Sequence, residues 1–208
     1  MNRLEIHKFG GTSVAGADRL VALASLMADV RQRTNLVIVS SATAGTTDQL
    51  LELGRVAAQG EVTRVRELAR AIEERHLRIL AELGEDDEQA VGPELTELVG
   101  VARQLAEAVA IHGELTPRVR DRMVIVGEKL AVRLLALALR RQGIAAAACD
   151  ADGFLETDGH FGEANALAGV ADRTTRAALR RVLEKGTIPV VTGFCGRAPD
   201  GATTTLGR

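Results

Sequence analysis

The chain has 208 residues, of which 46% are hydrophobic, enough for one domain with a substantial core. Charged residues make up 26%, of mixed sign with a formal net charge of -2, which argues against a nucleic-acid backbone or an anionic membrane as partner. Aromatic residues are only 2%, with no Trp or Tyr, so base-stacking platforms and aromatic grooves are excluded and a small polar substrate is expected.

In chain order, Leu4 to Phe9 alternates briefly and meets Gly10-Gly11; residues 15–33 then place Leu20, Leu23, Ala24, Met27 and Val30 on one helical face. Strand, glycine turn and helix follow one another. Residues 35–40 contain the apolar run Leu36-Val37-Ile38-Val39, suited to a central strand covered on both faces, and a polar turn occupies residues 41–47. Helical periodicity through residues 48–141 predicts several stacked helices, broken near Gly60, near residues 84–87, at Gly92-Pro93 and at Thr116-Pro117. Residues 143–150 read as a strand and residues 157–165 as a β-hairpin. A last helix from about residue 173 to 185, a Gly186 cap and a strand over residues 188–192 complete the pattern.

This alternation predicts an α/β fold: a mainly parallel sheet with helices on both faces and ligands at the carboxyl ends of the strands. Cys149 and Cys195 show no Cys-x-x-Cys spacing, and His7, His76, His112 and His160 show no ligand spacing, so no protein-held metal is expected. A cytoplasmic, reducing setting fits the cysteine usage, since neither a cleavable leader nor a membrane-length apolar run is present.

Lys8 ends the first strand before Gly10 and Gly11, where backbone amides can approach an anion while the ammonium supplies countercharge. That is a phosphate cradle of neither the Walker nor the dinucleotide kind, because Gly-Lys-Ser/Thr and Gly-x-Gly-x-x-Gly are both absent from this turn. Among acidic candidates, Gly113-Glu114 and Gly127-Glu128 compete. Glu128 follows the apolar run Met123-Val124-Ile125-Val126 and precedes Leu130, Leu134 and Leu135, so it is expected to be partly buried and to need a cationic partner.

Lys8-Phe9-Gly10-Gly11-Thr12-Ser13 resembles the opening signature of the aspartate kinases, within the amino-acid kinase family. Residues 39–50 resemble that family's substrate loop, Leu115-Thr116-Pro117 with Asp121 its segment before Gly-Glu, and Thr203-Thr204-Thr205-Leu206-Gly207-Arg208 the start of its later motif. Ala131 stands where the family usually has serine.

The resemblance implies a three-layer αβα amino-acid kinase fold and transfer of the ATP γ-phosphoryl to the side-chain carboxylate of L-aspartate, with Mg²⁺ on the phosphates. It assigns Lys8, Gly10 and Gly11 to phosphate, and Ser41, Thr47, Glu128 and Arg208 to the amino acid. Against these stand helix capping for Ser41 and Thr47, and an internal ion pair with Arg122 for Glu128. Phe161 and Phe194 read as hairpin packing.

The family continues with a nucleotide lobe and regulatory domains. Residues 1–208 are therefore expected to form the amino-terminal, amino-acid-binding lobe of a truncated kinase domain, inactive alone and homo-oligomeric at full length. Two alternatives are another amino-acid kinase, acting on glutamate or acetylglutamate, and a non-catalytic half-chain partner of a complete kinase.

Overall fold

In the computed structural model, which describes residues 3–84 and 88–207, β1 (Leu4–Phe9), β2 (Asn35–Ser40), β3 (Ala146–Cys149) and β4 (Ile188–Thr192) form one parallel sheet in the order β1-β2-β4-β3. β1 lies beside β2 in register from Leu4↔Asn35 to Phe9↔Ser40, so both strands end together. Three strands have the limits expected from sequence. The segment 143–150 is strand only at Ala146–Cys149, because Gly143 closes the preceding helix at φ 74° and the Ile144 amide still donates to the Leu139 carbonyl.

Successive β2 side chains enter different layers, which explains its unbroken apolar run. Leu36 and Ile38 join Leu20, Leu23 and Met27 of α1 (Ala17–Arg31) and Leu130 and Leu134 of α6 (Val126–Arg141) in the main core. On the opposite face, Val37 and Val191 pack with Leu179 and Leu183 of α7 (Val170–Leu183). Helices α2 (Thr46–Ala58), α3 (Val62–Leu83), α4 (Glu88–His112) and α5 (Pro117–Val124) gather over α6, which is buried on nearly every side from Val126 to Leu139. The result is the three-layer α/β architecture with a parallel sheet.

Several local expectations are corrected. After Gly10 the chain makes a 3-10 turn at Gly11–Val14, and α1 begins only at Ala17, beyond an extended Gly16. Gly92-Pro93 does not break α4: one proline near a helix start forfeits a single backbone bond, and burial of Leu95, Val99, Ala102 and Ala106 offsets it. A break does occur at Ile125, between α5 and α6. Ile125 keeps right-handed helical dihedrals there, so periodicity carries no warning of it.

Residues 157–165 form a loop closed by the single antiparallel bridge Thr157↔Ala166, not a two-stranded hairpin. Its turn is held instead by the Asp158 carboxylate, which accepts from the His160 and Asn165 amides at 3.1 Å each. A two-stranded hairpin lies further on, with β5 (Cys195–Arg197) antiparallel to β6 (Thr203–Thr205). Among the described residues, no helix is long and apolar enough to cross a membrane.

Candidate active site

The segments leaving β1, β2 and β4 are stitched together at one end of the sheet. The Ser41 amide donates to the Phe9 carbonyl at 3.1 Å, and the Gly193 amide donates to the Ser40 carbonyl at 3.1 Å. Gly11 packs directly on the β2–α2 loop: the Ala44 amide donates to its carbonyl at 3.1 Å, and a Cβ at Gly11 would stand 2.7 Å from the Ala42 carbonyl oxygen. Gly10, in contrast, has nothing within 4 Å of its Cβ direction. Lys8, paired across the sheet with Val39, is exposed at the same end. A cation thus stands beside a turn with open space over its backbone, which is what an anion cradle requires.

Glu128 lies in the first turn of α6 and is only 6% exposed. Gly127 puts it there, because a Cβ at that position would meet Ala42 Cβ at 3.0 Å, Thr46 Cγ2 at 3.1 Å and Leu50 Cδ1 at 3.3 Å. With no side chain at Gly127, the start of α6 abuts the loop and the start of α2. The carboxylate accepts the Phe194 amide at 2.9 Å, with the Gly193 amide also directed at it. Burial pushes its pKa up to about 7, against the opposing pull of those two amides and of the Lys8 charge.

The expected alternative, an ion pair with Arg122, does not form: Arg122 is exposed and, among the described residues, Glu128 has no salt bridge. Its neighbour Lys129 points elsewhere, to Asp152 at 2.8 Å and Asp150 at 3.6 Å. Glu114, the competing acidic candidate, is exposed between α4 and α5.

Ser41 is half-buried and Thr47 exposed, flanking the loop that touches Gly11. Neither caps α2, which begins after a left-handed Gly45 without a side-chain cap. The buried hydroxyls of this loop are those of Thr43 and Thr46, 2.6 Å apart, with Thr43 Oγ1 also 3.1 Å from His76 Nε2. Sequence reasoning missed this triad. Its available signal was a histidine on the α3 stripe of Ala69, Ile72, Ile79, Leu80 and Leu83, where an apolar residue is ordinary.

Asp121, which follows the Leu115-Thr116-Pro117 segment, joins three parts of the chain. Its 1%-exposed carboxylate accepts the Gly162 amide at 2.7 Å and the Thr205 amide at 2.8 Å, tying α5 to the 157–165 loop and to β6. The segment leading to Arg208 is thereby held against α5. Arg208 itself, which the resemblance assigns to the amino acid, lies outside the described residues. Phe161 stacks under Arg118, its ring centroid 5.5 Å from the guanidinium carbon, in keeping with a packing role. Burial pushes the Cys195 thiol up to about 12, so it is no nucleophile.

A parallel α/β sheet with a lysine near the end of its first strand, a glycine turn after that strand and a buried carboxylate at the same end defines the site. The amino acid kinase family model matches residues 3–208, and the chain belongs to that family.

Within it, the chain is similar to the aspartokinases. It is 35% identical over 208 residues to aspartokinase 1, chloroplastic, of Arabidopsis thaliana, covering 98% of this chain and 35% of the relative. It is 33% identical over 214 residues to lysine-sensitive aspartokinase 3 of Escherichia coli, covering 100% of this chain and 44% of that one. Aspartokinase III of E. coli in complex with lysine and aspartate superposes with a TM-score of 0.86 at 29% identity, over 99% of this chain and 44% of its own. The same enzyme with aspartate and ADP gives 0.79 at 27%. The chain thus spans less than half the length of each of these relatives.

Proposed function

We propose that this site belongs to an aspartate kinase and that residues 1–208 supply its amino-acid-binding lobe. The observation that carries the reading is Glu128: a buried carboxylate without a salt bridge among the described residues, at the junction of the glycine turn and the hydroxyl loop. A substrate ammonium group would be its missing cation. One solved relative, aspartokinase III of E. coli, is seen in two complexes with aspartate, one of them also with ADP, which supports aspartate as the acceptor and ATP as the donor.

In this reading an oxygen of the acceptor's side-chain carboxylate attacks the γ-phosphorus, the bond to the bridging oxygen breaks, and ADP leaves with that electron pair. A carboxylate is already a nucleophile, so no general base is needed. Positioning and charge neutralisation do the work. Lys8 and the Gly10 and Gly11 backbone would face the phosphates, while Glu128, Ser41, Thr47 and Arg208 would hold the amino acid. Mg²⁺ on the nucleotide would neutralise further charge.

The test is ADP release by the full-length protein with aspartate, glutamate or acetylglutamate as acceptor, alongside Lys8→Ala. Aspartate-dependent release that Lys8→Ala lowers by about a hundredfold or more is expected from loss of a transition-state countercharge. Release that depends equally on glutamate would move the protein to another branch of the family.

A further inference from the structure

The Thr43, Thr46 and His76 cluster is fully buried and has no place in the chemistry above, yet its hydrogen bonds can run in only one direction. His76 Nδ1 lies 2.7 Å from the Ile72 carbonyl, which only accepts, so Nδ1 carries the proton. Burial, against the pull of that carbonyl, holds the imidazole below its ordinary pKa, and the neighbouring Arg75 charge adds to this. The ring is therefore neutral and Nε2 is a bare acceptor. Thr43, 3.1 Å away, must donate to it. With its one proton spent, Thr43 accepts from Thr46 at 2.6 Å, and Thr46 in turn accepts from Arg75 at 3.5 Å.

We propose that His76 is a positioning residue which, through this directed chain, fixes the 41–47 loop and so sets the grip on the acceptor amino acid. The loop is tied at two points. Gly11 holds it from the phosphate side through the Ala44 amide, and His76 holds it from α3 through Thr43. Next to Thr43 lies Ala42, whose Cβ, with Thr46 Cγ2, forms the surface against which Gly127 seats Glu128. Ser41 and Thr47 flank the same segment. Loosening the α3 tie thus displaces the amino-acid grip while leaving Lys8 and Gly10 in place. Both buried threonine protons are committed inward, which leaves Ser41 and Thr47 as the loop hydroxyls available to a ligand.

The inference rests on the kinase reading for its kinetic consequence, though not for its structural one. His76→Leu removes the acceptor, Thr43→Val removes the donor, and His76→Gln keeps an acceptor oxygen at about the position of Nε2. In the full-length protein, the Leu and Val variants are expected to raise the aspartate KM about tenfold, the worth of one buried hydrogen bond, with the ATP KM changed less than about twofold. His76→Gln should return the aspartate KM to within about threefold of wild type. Equal rises in both KM values, or no rise, would overturn the proposal.

Amide hydrogen exchange gives an independent reading. Ala44 and Thr46 should exchange about tenfold faster in Thr43→Val and His76→Leu and recover in His76→Gln. Unchanged exchange would overturn the anchoring even in an active enzyme. Absence of aspartate turnover in the wild type would instead overturn the kinase reading, with the exchange result still deciding the role of His76.

Discussion

The Phe194 amide donates to the Glu128 carboxylate at 2.9 Å, joining the end of β4 to the first turn of α6 across the mouth of the site. That bond fixes a charged group where burial resists its charge. The carboxylate is held there although its pKa is pushed up to about 7.

A stability cost follows, with a definite pH window. The folded pKa of about 7 lies above the ordinary 4.5, so below pH 4.5 Glu128 is protonated both folded and unfolded and costs nothing. Between 4.5 and 7 the unfolded chain loses the proton first, and the cost grows to about 3 kcal/mol, constant at higher pH. Glu128→Gln is therefore expected to match wild type at pH 4 and to be more stable by up to about 3 kcal/mol at pH 8, as read from urea unfolding at each pH. A gap independent of pH would show that burial of the charge is not responsible.

Ligand binding should show the opposite preference. An ammonium group favours the ionised carboxylate, so aspartate affinity should rise with pH through about 7 and level off above it. In Glu128→Gln the affinity should be weaker and flat across that range. Calorimetry at pH 6, 7 and 8 checks both expectations.

Gly11→Ala places a Cβ 2.7 Å from the Ala42 carbonyl oxygen, a contact with backbone that cannot turn aside. The two loops must separate, at a cost of about 1–3 kcal/mol. Gly10→Ala meets nothing within 4 Å and should leave stability within about 0.5 kcal/mol of wild type, while lowering ATP affinity by filling the cradle. Thermal melts and nucleotide titrations separate the two variants.

Asp121→Ala leaves the Gly162 and Thr205 amides without their acceptor. A destabilisation of about 2–5 kcal/mol is expected from two unsatisfied donors. Asp121→Asn, which keeps one acceptor oxygen, should lose less. Denaturant midpoints of the two variants give the comparison.

Much of the frame was legible because its signals are local. β1 announced itself as a brief alternation ended by glycine, β2 and β4 as short apolar runs ended by hydroxyl residues, and the turn of Lys8, Gly10 and Gly11 lies within one contiguous string. Glu128 was legible from the apolar residues on either side of it. What stayed hidden depends on partners distant in sequence. Thr43 meets His76 from 33 residues away, and Asp121 meets Thr205 from 84, so no window of periodicity contains either pair. The continuity of α4 through Pro93 was hidden for a related reason, since tertiary burial outweighs a local breaker.

The most direct test of the central claim, that Glu128 receives the ammonium group of an amino acid, is calorimetric titration of the full-length protein at pH 8 with aspartate and with succinate, which lacks that group. Aspartate is expected to bind wild type at least about tenfold more tightly than succinate does, and to lose that advantage in Glu128→Gln. Equal binding of both ligands to wild type, or an advantage that survives Glu128→Gln, would contradict it.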